Sequence, residues 1–174
     1  MSLNSALLPS NHAQSVLIIS ININFRYLMG VGFALDLVVC SALGVDMYDC
    51  VFPTRTARFG CALIMSHPGS LSMKQKQFRT DFDPIEADCH CSTCQRASRA
   101  LVHKLVVAKE TAGCHLLTVH NVAFQLRLMS KIREAIREDK YPQFVRTFVK
   151  NNYPDGSTVP KWAVDALKHV GIEL

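Results

Sequence analysis

No run of about 18 apolar residues occurs in this chain, so no transmembrane helix is expected. Val16 to Ile21 is apolar, but no positive residue precedes it and no small-residue cleavage pattern follows, so a signal peptide is not expected. No internal repeat or low-complexity run is present. Charged residues make up only 19%, against 49% hydrophobic, which favours a packed core over long disorder. No acidic residue lies between Cys50 and Thr80. Outside one cluster the cysteines have no framework-like spacing. That argues against a disulfide-stapled secreted domain and for a reducing compartment, cytosol or nucleus.

The cluster is Cys89-His90-Cys91-Ser92-Thr93-Cys94, read with His120. Cys91 and Cys94 have the spacing of a metal knuckle, in which a tight turn aims both sulfurs at one ion. Three thiolates from Cys89, Cys91 and Cys94 and the His120 imidazole make a closed tetrahedral Zn²⁺ site. With four protein ligands no position is open to substrate. One structural zinc is expected, and the chemistry must lie elsewhere.

The rest of the chain alternates strand and helix signals. Ile19, Ile21, Ile23 and Phe25 alternate with polar residues, the period of a strand. Tyr27 to Gly32 predicts a short strand ending in glycines. Leu37 to Leu43 predicts a helix closed by Gly44, and Asp46 to Phe52 a second strand stopped by Pro53. Strand, helix, strand is a βαβ unit, the building block of parallel sheets. Leu71 to Met73 resembles a short strand. Arg96 to Ala108 has helical spacing, with Leu101, Leu105 and Val106 on one side. Gly113 reads as a break. Asn121 to Asp139 reads as the longest helix, with Phe124, Leu128, Ile132 and Ile136 broadened by Leu126 and Met129, which puts His120 at its first turn. Two further helices follow, over Tyr141 to Lys150 and Pro160 to His169. Phe144, Phe148 and Trp162 are candidate anchors for a partner surface.

Two features carry possible chemistry. Arg55, Arg58, Lys74, Lys76 and Arg79 make a one-signed basic stretch, either a solvated face or a contact for phosphates. Asp49 lies near the C-terminal end of its strand, where parallel α/β folds build active sites. Asp46 and Asp49 point to opposite faces. The residues alone leave Asp49 two readings: a structural ion pair with Arg55 or Arg58, or a catalytic carboxylate.

Arg26-Tyr27-Leu28-Met29-Gly30-Val31-Gly32, then Asp46 to Arg55, then the cysteine cluster and His120-Asn121, resemble the tRNA-guanine transglycosylase family over residues 26–174. The Val51 to Gly60 wording and the Val159-Pro160 to Leu167 ending resemble its eukaryotic queuine tRNA-ribosyltransferase catalytic members. The resemblance implies an α/β fold, the C-terminal part of a (β/α)8 TIM barrel with a zinc-binding subdomain at about 81–124, the barrel being incomplete in this chain. It implies exchange of guanine for queuine at the wobble position of tRNA. Asp49 matches the nucleophile, and Thr54, Arg55, Thr56, Ala57 and Arg58 match the segment that recognises the wobble base. Gly30, Val31, Gly32, Phe33, Ala34, Leu35 and Asp36 match an RNA-contacting stretch. It further implies an accessory subunit as heterodimer partner, and a cytoplasmic location with peripheral attachment at the mitochondrial outer membrane. The general base and most of the base pocket have no counterpart here, and residues 1–25 do not match, so they read as a leader. The chain is expected to be inactive alone. The alternative is a zinc-stabilised RNA- or partner-binding module without catalysis.

Overall fold

The structure, a computed structural model, describes residues 25–154 and 158–174 with their side chains, and the backbone of 18–21. The fold is mixed α/β. It forms two compact units, one from the residues up to Cys50 with Lys131–Leu174, the other from Val51–Ser130.

The first unit holds a three-stranded sheet of β1 (Ile18–Ile21), β2 (Phe25–Met29) and β3 (Met47–Asp49), in that order. β1 and β2 are antiparallel, with Ile18 opposite Leu28. β2 and β3 are parallel, with Tyr27 opposite Met47 and Met29 opposite Asp49. The link between the parallel strands is α1 (Ala34–Ala42), the crossover expected from the sequence. Among the described residues the sheet has three strands and does not close into a barrel. Of the first expected strand, Ile19 and Ile21 lie in β1 and Phe25 instead begins β2; residues 22–24 and most of the expected leader lie outside the described residues.

α1 buries Leu37, Val38, Val39 and Cys40. It packs against α6 (Tyr141–Asn152) and α7 (Lys161–His169). Its C-terminus is closed as expected: Gly44 has φ of 89°, and the amides of Gly44 and Val45 donate back to Ser41 and Cys40. A Cβ at Gly44 would lie 2.8 Å from Arg26 Nη1, and that guanidinium donates to the Leu43 carbonyl at 2.8 Å. A cation at a helix C-terminus also meets the negative end of the helix dipole. The Tyr141 hydroxyl donates to the Val38 carbonyl at 2.7 Å. The Tyr48 hydroxyl sits 2.9 Å from Ser41 Oγ and donates to the Leu37 carbonyl at 3.3 Å. Burial raises the pKa of both tyrosines above the ordinary value, so both hydroxyls stay neutral donors.

The second unit begins with α2 (Phe52–Arg58), then a hairpin of β4 (Cys61–Leu63) and β5 (Ser70–Ser72), and a 3₁₀ turn at Lys76–Thr80. α3 (Ser92–Arg96), α4 (Arg99–Val107) and the start of α5 (Thr111–Arg137) complete it. Its core includes Met73, Phe78, Ile85, Val102 and Leu117.

Several expected boundaries move, each for a physical reason. β3 ends at Asp49, and Pro53 opens α2 instead of stopping a strand, because proline fits the first turn of a helix where its missing N–H is not needed. The single helix expected over Arg96 to Ala108 is two, divided where Ser98 Oγ accepts from the Leu101 amide and caps α4. Leu101 is exposed, and Val102, His103 and Val106 face the core. Gly113 does not break the chain: it lies within α5, where a Cβ would come within 3.0 Å of the Val106 amide nitrogen. Glycine there allows close approach of α4. Leu126 and Ile136 are exposed, which narrows the expected stripe on α5. Of the anchors expected on the last helices, Phe148 is buried, and Phe144 and Trp162 are half-buried.

Tyr141→Phe removes the donor from the buried Val38 carbonyl while keeping the ring. A loss of about 1 kcal/mol is expected, read as a lower midpoint in urea unfolding. An unchanged midpoint would show that the bond contributes nothing net.

Candidate metal centre and strand-end carboxylate

In the second unit, the segment before the knuckle is pinned to the start of α4. Arg99 Nη1 pairs with Asp81 Oδ2 at 3.0 Å, and its Nη2 donates to the Ile85 carbonyl at 3.0 Å. The amides of Arg99 and Ala100 donate to the Asp83 and Asp81 carbonyls. Ile85 is thereby held in the core. Cys89 follows, and Cys91 stands at the N-cap of α3, its sulfur accepting from the Cys94 amide at 3.4 Å. One helical turn thus brings Cys91 and Cys94 together. Thr93, buried between them, donates to the Leu116 carbonyl at 2.8 Å and ties α3 to α5.

His120 closes the set from α5. It is not on the first turn, as the sequence suggests, because α5 starts earlier, at Thr111. Its ring is buried. Nδ1 lies 3.7 Å from the sulfurs of Cys89 and Cys91 and 3.3 Å from that of Cys94. Bond lengths of about 2.3 Å to sulfur and about 2.1 Å to nitrogen give a tetrahedron with S···N edges of about 3.6 Å. The observed distances bracket that value, and all four donor atoms lie within 4.8 Å of one another. The tautomer also fits. Nε2 is 2.8 Å from the Leu63 carbonyl, which can only accept, so Nε2 carries the hydrogen and Nδ1 presents its lone pair. Burial lowers the His120 pKa, which favours the neutral ring a ligand needs. Burial pushes the Cys94 thiol up to about 12, with Cys89 and Cys91 adding to the rise. The group can hold one metal ion, and its soft sulfur-rich donors suit Zn²⁺.

The charge is balanced nearby. Three thiolates and a neutral imidazole around a divalent ion leave one negative charge. Arg127, ion-paired with Glu86, faces Cys89. Burial works against its charge, but Glu86 and the Cys89 sulfur raise its pKa. Glu86 also accepts from the Met65 amide at 2.7 Å, so the ion pair is fastened to the backbone beyond β4.

The basic stretch belongs to this unit. Arg55 and Arg58 lie on α2, and both are exposed. Thr54 and Thr56 are half-buried and Ala57 is buried. Lys74, Lys76 and Arg79 are exposed, and no ion pair among the described residues includes any of these five cations.

Asp49 ends β3 in the first unit. Its carbonyl accepts from the Gly30 amide at 2.7 Å, where Gly30 turns the chain with φ of 75°. Its side chain is exposed, and no ion pair among the described residues includes it. Tyr27 is diagonal to it across the parallel pair, and the Asp49 carboxylate holds the Tyr27 hydroxyl above its ordinary pKa. Asp46 differs: Oδ2 accepts from the Arg26 amide at 2.8 Å, and its own amide returns a bond to the Arg26 carbonyl. One aspartate closes the strand pair, and the other leaves its carboxylate beside the Tyr27 hydroxyl. In the Gly30 to Asp36 stretch, Gly30 and Phe33 are exposed, Val31 and Gly32 buried, and Ala34, Leu35 and Asp36 half-buried.

Two polar residues carry more than the sequence suggests. His103 is buried with Nδ1 2.7 Å from the Met73 carbonyl. Asn121 is fully buried beside His120. Neither has a ligand-like spacing, and only the burial of a polar residue next to a metal ligand could have pointed to Asn121.

Comparison with known proteins gives a consistent picture. The family model described as queuine tRNA-ribosyltransferase matches residues 21–154. The chain is 50% identical over 157 residues to the queuine tRNA-ribosyltransferase catalytic subunit of Schizosaccharomyces pombe, covering 86% of this chain and 38% of that protein. It is 46% identical over 162 residues to the catalytic subunit of Caenorhabditis elegans, covering 86% and 40%. It is 46% identical over 142 residues to the queuine tRNA-ribosyltransferase of Thermus thermophilus, covering 82% and 36%. The chain therefore spans about two fifths of the length of these relatives.

Cys91→Ala is expected to take the metal content from about one Zn²⁺ per chain to none and to unfold the zinc-bearing unit, because a structural site contributes its binding energy to folding. Cys114→Ala, outside the cluster, should keep the ion. Metal analysis with circular dichroism checks both, and retained zinc in Cys91→Ala would require another ligand set.

Proposed function

Because the chain belongs to the queuine tRNA-ribosyltransferase family, we propose that it is the nucleophile- and zinc-bearing part of a tRNA-guanine transglycosylase. The reaction is the exchange of guanine for queuine at the wobble position of tRNA. The observation that supports this most is the exposed Asp49 carboxylate at the C-terminal end of β3, beside the Gly30 turn.

An Asp49 oxygen attacks the ribose C1′. The C1′–N9 bond breaks, and guanine leaves with the electron pair and takes up a proton. A covalent ribosyl ester remains. N9 of the incoming 7-deazaguanine base then attacks C1′, loses its proton and releases Asp49. Two displacements retain the anomeric configuration, as in retaining glycosidases. The guanine must leave its stack first. Arg55 and Arg58, presented by α2 with Thr54, Thr56 and Ala57, recognise the wobble position. The Gly30 to Asp36 stretch contacts RNA. Bound zinc supplies no reactive ligand position; Cys89, Cys91, Cys94 and His120 would hold it as a structural tie.

In this reading β2, α1 and β3 are part of a (β/α)8 barrel, and about 81–124 is its zinc-binding subdomain. The general base and most of the base pocket belong to the remainder of the relatives' length. An accessory subunit completes the enzyme as a heterodimer. Its place is the cytoplasm, peripheral at the mitochondrial outer membrane; cysteines without framework-like spacing outside the metal cluster fit a reducing compartment. No described helix is long and apolar enough to cross a membrane.

A second reading, RNA binding without catalysis, is favoured by the five exposed cations. It predicts tRNA affinity that falls with salt at a log–log slope of about −3.5, from five contacts at about −0.7 each. Binding indifferent to salt would rule it out.

Two assays address the catalytic reading. With labelled guanine and cognate tRNA, this chain alone should give no exchange; robust turnover would show that no further strands are needed. Within the full-length enzyme, Asp49→Asn should abolish the covalent RNA adduct on a denaturing gel. An adduct that persists would remove Asp49 from the nucleophile role.

A further inference from the structure

Asn121 sits one residue beyond a metal ligand, fully buried, with every polar atom of its side chain engaged. Oδ1 accepts from the Leu63 amide at 2.9 Å. Nδ2 is 3.0 Å from the Pro53 carbonyl, 3.2 Å from Thr56 Oγ1 and 3.0 Å from the Cys61 carbonyl. The orientation of the amide is forced. Two backbone carbonyls flank one end and can only accept, and a backbone N–H meets the other and can only donate.

Pro53 and Thr56 belong to α2, and Cys61 and Leu63 to β4. The next residue back, His120, donates to the Leu63 carbonyl and turns its other nitrogen to the three sulfurs. One dipeptide of α5 therefore grips both backbone atoms of Leu63, the first turn of α2 and the metal centre. α2 needs such a grip. It is seven residues long, its N-cap Val51 makes no side-chain cap bond, and isolated helices of that length are unstable. Its own contribution to burial is small, chiefly Pro53 and Ala57.

We propose that Asn121 is the positioning residue that latches α2 to the metal-bearing turn of α5, and so sets where Arg55 and Arg58 stand for RNA. It touches no substrate; it acts by fixing the helix that does. This deepens the function proposed above and rests on it for the RNA step, whereas the order of α2 is a property of the chain alone.

The test is local hydrogen exchange on the full chain, with zinc content and tRNA binding measured on the same samples. In Asn121→Ala the zinc should stay near one per chain and the amides of α4 should keep their protection. The α2 amides, including Arg55, which bonds to Val51, should exchange at least about tenfold faster, as expected when hydrogen bonds fixing one element are lost. tRNA affinity should fall at the same time. Asn121→Gln keeps the same donors and acceptor one carbon further out, and is expected to recover part of the α2 protection. Unchanged α2 exchange with zinc retained would overturn the latch. So would loss of zinc and of α4 protection together in both variants, since Asn121 would then hold the whole unit and not α2. Faster α2 exchange with unchanged tRNA affinity would confirm the latch and overturn the role given to α2 in RNA recognition.

Discussion

Three sulfurs and one ring nitrogen converge within 4.8 Å, and much of the second unit is arranged to make that convergence possible. Each donor comes with its own anchor. Cys91 caps α3, Thr93 fastens α3 to α5, Arg99 ties the preceding loop to α4, and Leu63 orients the imidazole. These are polar bonds in a small core, and a buried polar bond left half-made destabilises more than it contributes when complete. The ion and its surroundings therefore stand or fall together. Arg127 belongs to the same account, because the excess negative charge of a sulfur-rich site needs a neighbouring cation when partly withdrawn from water.

Asp46, just before β3, and Asp49, its last residue, are chemically equal groups put to different uses. Asp46 meets the backbone of β2 and is spent closing the strand pair. Asp49, three residues on, gives its carbonyl to Gly30 and leaves its carboxylate outward. The acidity of Tyr27 registers that carboxylate, through the diagonal relation across a parallel pair. The backbone bond fixes where the aspartate stands, and the Tyr27 hydroxyl meets its carboxylate.

Sequence patterning made the metal ligands, the βαβ crossover and the Gly44 helix end legible, because each depends on local spacing or on one residue's backbone freedom. It failed where tertiary approach decided. Gly113 reads as a breaker, yet it lies inside the longest helix because α4 passes too close for a Cβ. Pro53 reads as a strand stop and is a helix start, since both uses exploit the same missing N–H. Leu101 and Leu126 satisfied an apolar count but fall on the solvent side, one position from buried Val102 and two from buried Phe124 and Leu128. Asn121 stood in the resemblance beside His120, but its bonding role was not legible because its four partners are distant in sequence. Whether Asp49 enters an ion pair was likewise beyond pattern, because it depends on what surrounds an exposed side chain.

α1 leaves a geometric question that its composition cannot answer. Leu37, Val38, Val39 and Cys40 are buried in succession, and four consecutive residues point all the way round a helix. Apolar burial alone would accept the helix at many angles about its own axis. The hydroxyls of Tyr48 and Tyr141 remove that freedom, because each meets one particular carbonyl, of Leu37 and of Val38. Hydrophobicity thus places α1 between its neighbours, and two phenols set its azimuth. The azimuth in turn fixes the direction from which the chain leaves the Gly30 turn, so the phase of a greasy helix is dictated by its few polar contacts.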